Sequence, residues 1–235
     1  MTRPAAHNPH HHADVTGGWL RPAVFGAMDG LVTNIALIAG VGGGGVPART
    51  ILLAGVAGLV AGAISMALGE YTSVRTQNEQ IAAEIAKERA ELTRHPEAEA
   101  EELAQMWTER GLPADLARQL AEAVMDHPEL ALRMHVQEEL GVSPASAPSP
   151  WLAAVSSFAC FAVGGLLPLL PYLFGSEQLW LALAFGAAGL FAAGAVAARF
   201  TRRNWLLSGA RQLLLGGAAA AATYLIGLGI GGTVG

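Results

Sequence analysis

The chain has a single cysteine, Cys160, and it lies inside an apolar run. No disulfide can form within the chain and no cysteine-only metal site can be built. The residue reads as a small packed hydrophobe. Charge is also scarce. Only 14% of the 235 residues are Asp, Glu, Lys or Arg, where a soluble domain carries about a quarter. None of the seven histidines falls in a long apolar run. That excludes an intramembrane metalloprotease, which would need a histidine motif inside a span. A ferritin-like oxidase would need Glu-x-x-His pairs on facing helices. None is present: Leu132 stands three before His135, and His95 follows Glu91 by four. The glycine run Gly42 to Gly45 lacks the spacing and the following lysine of a phosphate-binding loop. No cleavable signal peptide is visible. The N-terminus is polar, with Pro4, His7, Pro9 and the triplet His10, His11, His12, which fits a loose metal-holding tract or a plain disordered tail.

Hydrophobic residues make up 52% of the chain, and they fall in long runs. A bilayer core about 30 Å thick needs roughly 20 apolar residues of helix. Five stretches meet that length: Leu20 to Val41, Thr50 to Val74, Trp151 to Phe174, Leu179 to Ala198 and Leu206 to Ile230. Glycine is abundant at 29 residues, which suits close helix packing in lipid. Between the second and third spans the character reverses. Fifteen of the nineteen acidic residues lie from Glu79 to Glu139. Breakers divide this segment into helices over about Gln77–Arg94, Glu97–Arg110, one starting near Ala114 and ending before His127-Pro128, and Glu129–Leu140. A proline-rich linker from Ser143 to Pro150 follows. With the acidic segment placed in the cytosol, thirteen of the fourteen basic residues fall on the cytosolic side and only Arg49 on the other. That bias is a positive-inside signal.

The expected fold is therefore an all-α membrane protein of five transmembrane helices. A helical acidic cytosolic domain is inserted between the second and third spans. The expected divisions are a tail (1–19), two spans (20–74), the acidic domain and linker (75–150) and three spans (151–235).

Charges within the spans are few. Asp29 lies about nine residues into the first span, roughly 13 Å deep at 1.5 Å per residue. A carboxylate there costs several kcal/mol unless it meets a cavity, a partner or a cation, and the spans hold no lysine and only Arg21 and Arg211, both toward the cytosolic end. Met66 reaches a similar depth on the second span. Glu70 lies four residues further on, so the two share a face. Thr33, Asn34 and Ser65 add polar groups close by. A carboxylate and a thioether at one depth suit a borderline divalent metal, because sulfur disfavours Mg²⁺ and Ca²⁺. Taken singly, Met66 also fits core filling, and Glu70 is shallow enough to snorkel to the headgroups. Pro168 and Pro171 in the third span fit a kink or a cavity-lining break.

In the acidic domain Glu84, Glu88 and Glu91 form one stripe at i, i+4 and i+7. Glu99 and Glu102 share a face, and the last helix adds Met134, His135, Glu138 and Glu139 as further candidate metal ligands. Spacing alone fits a solvated acidic face, with Lys87, Arg89 and Arg94 near enough to offset part of the charge.

The segments FGAMDGLVTNIALIAGVGGG and LLAGVAGLVAGAISMALGEYTSVRTQ resemble the vacuolar iron transporter family, which includes the nodulin-like proteins. The resemblance spans nearly the whole chain. It implies five-span subunits that form homodimers with an ion path at their interface, exchanging cytosolic Fe²⁺ or Mn²⁺ for protons. It implies that Asp29 and Met66 are in-membrane metal ligands, with Glu70 in the same motif. It further implies that Glu88, Glu91, Glu99, Glu102 and Glu139 are cytosolic metal ligands. One departure stands out. Where relatives commonly carry a Met-Met pair, this chain has His135 and Val136, with Met134 one place early. Histidine is itself a good ligand for Fe²⁺ or Mn²⁺.

The resulting expectation is export of Fe²⁺ or Mn²⁺ by proton antiport, with no enzyme activity. No prosthetic group is expected, only the carried ions, and the partners are metal, protons, lipid and a second copy of the chain, with no nucleic acid. The plasma membrane is the expected site if the source is bacterial. The competing reading is a membrane-tethered metal buffer or sensor, in which the acidic domain binds metal but nothing crosses.

Overall fold

The structure is a computed structural model that describes residues 18–142 and 147–234. Positions 1–17 of the expected tail, with the histidine triplet, and positions 143–146 of the expected linker lie outside the described residues. Among the described residues all regular structure is helical.

Among the described residues five helices are long and apolar enough to cross a bilayer. Helix α1 covers Leu20–Gly43 and stops in a glycine run, where Gly45 takes φ +74°, a left-handed turn open to glycine. Helix α2 covers Ala48–Arg94, 47 residues without interruption, about 70 Å of helix. The sequence divides this stretch into a span and a separate polar helix. The structure joins them, because no proline or glycine stands between Gly69 and Pro96 and only side-chain polarity changes there. Pro96 ends α2 and opens α3, Pro96–Glu109. Helices α4, Ala114–Met125, and α5, Pro128–Glu139, follow. The turn after α3 needs Gly111 at φ +100°, and the one after α5 needs Gly141 at φ +64°. The third span is α6, Pro150–Leu166, a 3₁₀ turn at Leu167–Leu169 and the short α7, Leu170–Leu173. Pro168 and Pro171 each lack the N–H that would continue the ladder, which explains the break. Ser149 caps α6 by accepting from the Leu152 amide at 3.3 Å. Helices α8, Leu179–Thr201, and α9, Trp205–Val234, complete the bundle.

Helix α1 is the hub and touches α2, α6, α8 and α9. Pairings along the interfaces set directions. Gly26 meets Ser157 and Gly30 meets Phe161, so α1 and α6 run in parallel. Gly55 meets Ile38 and Gly58 meets Leu37, so α2 runs against α1. A side chain at Gly30 would strike the Phe161 carbonyl. That close approach is the use of small residues in lipid, where hydrophobicity does not drive helices together. Thr223 on α9 donates to the Ala36 carbonyl of α1 at 2.7 Å. Two apolar clusters fill the bundle, one around Leu31, Ile35 and Leu190, the other around Ile38, Leu169 and Tyr172. Helices α3 to α5 have a core of their own, built on Leu103, Trp107, Ala117, Ala121 and Val124. This three-helix unit packs against the polar half of α2.

Candidate metal sites in the spans and the acidic unit

The antiparallel crossing of α1 and α2 opens a cavity of 320 Å³ lined by Asp29, Thr33, Ser65, Met66, Glu70 and Ser73, with Phe25 and Phe161 as apolar walls. Gly62 and Gly69 also border it. On α2 the lining positions follow helical spacing from 62 to 73, so one face supplies them all. The three in-span residues expected from sequence, Asp29, Met66 and Glu70, thus share one cavity. The Thr33 hydroxyl donates to Asp29 Oδ1 at 3.3 Å, one turn along α1. Glu70 is only 7% exposed, and its Oε2 is buried without a hydrogen-bond partner. An orphaned carboxylate oxygen in such a place is costly unless a cation or water meets it. Asn34 does not join this group. It is buried, and its Nδ2 donates to the Gly165 carbonyl at 2.5 Å, tying α1 to α6.

About 27 Å further along α2 from Glu70, at 1.5 Å per residue, a second group forms. Glu88 from α2, Glu99 from α3, and His135 and Glu139 from α5 each present one ligand atom, all within 4.8 Å of one another. His135 is fully buried. Its Nδ1 lies 2.9 Å from the Ala131 carbonyl. A proton on Nδ1 donated there leaves Nε2 as the coordinating nitrogen. Nε2 lies 3.7 Å from a Glu99 carboxylate oxygen and 3.1 Å from the Glu99 backbone oxygen.

The electrostatics of the group are unfavourable without a cation. Burial pushes the Glu88 carboxyl up to about 7, helped by Glu139, Glu99 and Glu102 and opposed by His135. Burial and then Glu102 raise Glu99, and the same two causes raise Glu139. Among the described residues no arginine or lysine is ion-paired with Glu88, Glu99 or Glu139. Lys87 faces Glu84 at 4.0 Å, Arg89 holds Glu129 at 2.8 Å and Arg94 reaches Glu91 at 3.9 Å. The basic residues that the sequence offers as neutralisers are therefore turned to other carboxylates.

Four other expected ligands lie outside this quartet. Glu102 is exposed and acts on it only through charge. Glu91 sits beside Arg94 and His95, each at 3.9 Å. Met134 packs into the apolar core of α3 to α5. Glu138 forms an ion pair with Arg110 and accepts from Trp107 Nε1 at 3.3 Å. Met134 and Glu138 are four apart and share the face of α5 turned to that core, whereas His135 and Glu139 share the face turned to α2. Sequence reasoning missed Ser73 and Phe161. Ser73 lies one heptad beyond Met66 and was readable by spacing, whereas Phe161 reaches the cavity from α6 and carries no local signal.

The family model for the VIT family matches residues 20–228, which takes in both sites. The chain belongs to the VIT family. Three similar proteins illustrate the breadth of that family. Vacuolar iron transporter of Acanthamoeba castellanii is 38% identical over 225 residues, covering 92% of this chain and 78% of its own. Vacuolar iron transporter 1 of Oryza sativa subsp. japonica is 30% identical, with 94% and 90% covered. Vacuolar iron transporter 1 of Arabidopsis thaliana is 30% identical, with 92% and 89% covered. Membership in the VIT family, together with five spanning helices, makes the chain an integral membrane protein rather than an enzyme.

Proposed function

We propose that the chain is a divalent-metal transporter that exports Fe²⁺ or Mn²⁺ from the cytosol in exchange for protons. The observation that carries this reading is the convergence of Asp29, Met66 and an unpartnered Glu70 on one in-span cavity. The same helix, α2, then runs on into the carboxylate–histidine quartet. The relatives' names, vacuolar iron transporter, support iron as a substrate. The quartet of three carboxylates and one imidazole suits Fe²⁺ or Mn²⁺ in softness, and the Met66 thioether selects against Mg²⁺ and Ca²⁺ along the path.

In the proposed cycle the acidic unit faces the cytosol and collects metal at Glu88, Glu99, His135 and Glu139. Metal passes along α2 to Asp29, Met66 and Glu70. Carboxylates must be deprotonated to hold metal, so protons arriving from the far side compete with it and release it outward. No nucleotide is needed. The orientation rests on the basic residues, thirteen of fourteen of which fall at the acidic unit's end. The cavity borders Ser65 and Gly69, which are exposed on α2 beside Thr72 and Ser73. Such small and polar groups are poor lipid neighbours, which supports a second copy of the chain covering this face.

The test is flux. Purified protein is reconstituted in liposomes holding a metal-quenched dye, and Fe²⁺ or Mn²⁺ is added with and without a pH gradient. Quenching that grows with the gradient supports proton-coupled transport, and the ranking of the two metals assigns the substrate. Metal bound by the protein with no flux would support the buffer or sensor reading instead.

A further inference from the structure

Four arginines crowd the turn between α8 and α9: Arg199, Arg202, Arg203 and Arg211. Among the described residues none of them is paired with a carboxylate. The turn is a fixed structure. Arg202 caps α8 at φ 52°. Asn204 Oδ1 accepts from the Leu206 and Leu207 amides at 2.9 and 3.4 Å and so starts α9. Gly194 lets α8 close on the Ser208 carbonyl. Trp205 stands edge-on to Phe191 with ring centroids 6.1 Å apart.

This frame holds a cavity of 380 Å³ lined by Arg203, Asn204, Leu207, Ser208 and Arg211. Ser208 is 8% exposed, and its hydroxyl makes no hydrogen bond among the described residues. The pocket thus presents two guanidiniums without a carboxylate partner, the Ser208 hydroxyl and the positive end of a 30-residue helix. That donor set, with no acidic group in the lining, fits a phosphate ester. Its flanks are apolar: Phe200, Trp205, Leu206 and Leu207 are all exposed. A soluble anion has no use for such flanks. An acyl chain does, and tryptophan is favoured at the headgroup level.

We propose that this pocket binds the headgroup of an anionic glycerophospholipid in the leaflet on the acidic unit's side. The phosphodiester lies between Arg203 and Arg211, Ser208 donates to one of its oxygens, and the acyl chains run along the exposed apolar side of α8 and α9. The site shares no residue with the Asp29 cavity or with the Glu88 quartet.

The test uses the full-length protein in detergent micelles doped with phosphatidylglycerol or phosphatidylcholine, with bound lipid counted by native mass spectrometry. Phosphatidylglycerol should be retained selectively. Juxtamembrane basic residues contribute about a factor of five each to anionic-lipid affinity, so R203Q/R211Q should lose roughly twenty- to thirty-fold. R21Q, which removes an arginine from the same membrane face outside the pocket, should bind as wild type. Should the double variant fail to fold, R211Q alone should show roughly a five-fold loss. Unchanged retention by R203Q/R211Q, or by R211Q where that variant carries the test, overturns the proposal. So does an equal loss in R21Q, which would mark a diffuse surface field. Displacement of the lipid by millimolar inorganic phosphate would assign the pocket to a soluble anion and overturn the lipid reading.

Discussion

Asp29 and Glu70 place two carboxylates in one span cavity, and only Asp29 has a donor on its own helix, the Thr33 hydroxyl. Asp29→Ala should abolish metal flux in liposomes while leaving helical content and monodispersity intact, since no packing core includes Asp29. In the acidic unit, His135 is the most deeply buried ligand of the quartet, with no exposed surface. His135→Ala should weaken Mn²⁺ affinity by tenfold or more in calorimetric titration, in line with the cost of disturbing a ligand shell. Met134→Ala and Glu138→Gln should lower the stability of the unit but leave that affinity nearly unchanged, because neither side chain faces the quartet.

The raised Glu88 carboxyl, at about 7 in the folded chain against 4.5 in its absence, sets a pH dependence. Between those two values the folded state holds a proton that the unfolded state has released. Stability of the metal-free unit therefore falls as pH rises from about 4.5 to 7. Metal binding has the opposite sense, because it requires the deprotonated carboxylate and weakens as pH drops below about 7. Thermal denaturation of the protein at pH 5 and pH 8, with and without Mn²⁺, should show the metal-free form more stable at pH 5 and the stabilisation by metal larger at pH 8. Metal stabilisation of equal size at both pH values would argue against Glu88 as a ligand.

At the scale of elements, α2 is the feature that links the two sites. Its 47 residues carry Met66 and Glu70 near the middle and Glu88 close to the C-terminal end. Thr76→Pro would remove a ladder hydrogen bond and kink the helix at the membrane edge, at a cost of about 3 kcal/mol. The expected outcome is metal still bound by the acidic unit in titration, with flux strongly reduced in liposomes. Gly30→Leu should act at the contact between α1 and α6. The added side chain strikes α6 at Phe161, which places the loss at roughly 1–3 kcal/mol by overpacking and should lower the melting temperature in detergent.

The spans were legible because each is a run of about twenty apolar residues, and the helix ends because His95-Pro96, Gly111, His127-Pro128 and Gly141 are breakers. The continuity of α2 was not legible by hydropathy, since the drop in apolarity after Val74 looks like an element boundary although the backbone has no reason to stop. The shared cavity of Asp29, Met66 and Glu70 followed from depth along two antiparallel helices. The quartet was only half legible. The stripe of glutamates shows in the spacing, but which of them converge depends on how α3 and α5 roll against α2. That roll is set by Leu103, Trp107 and Val124, whose partners are distant in sequence. The diversion of Glu138 to Arg110 has the same origin.

For the molecule as a whole, the polar exposed edge of α2 at Ser65, Gly69, Thr72 and Ser73 predicts that the transporting form is a dimer across that face. Cysteine pairs introduced there in a Cys160→Ser background should crosslink between copies, whereas a pair placed on the lipid-facing side of α8 should not. The central claim is that metal crosses the bilayer through the Asp29 cavity after collection by the acidic unit. It is tested most directly by measuring Mn²⁺ entry into proteoliposomes under a pH gradient for wild type and for Asp29→Ala side by side, with Mn²⁺ binding to each protein titrated in parallel. The expected result is gradient-driven flux for wild type and none for Asp29→Ala, with metal still bound at the quartet in both. Equal flux through the two proteins would contradict it.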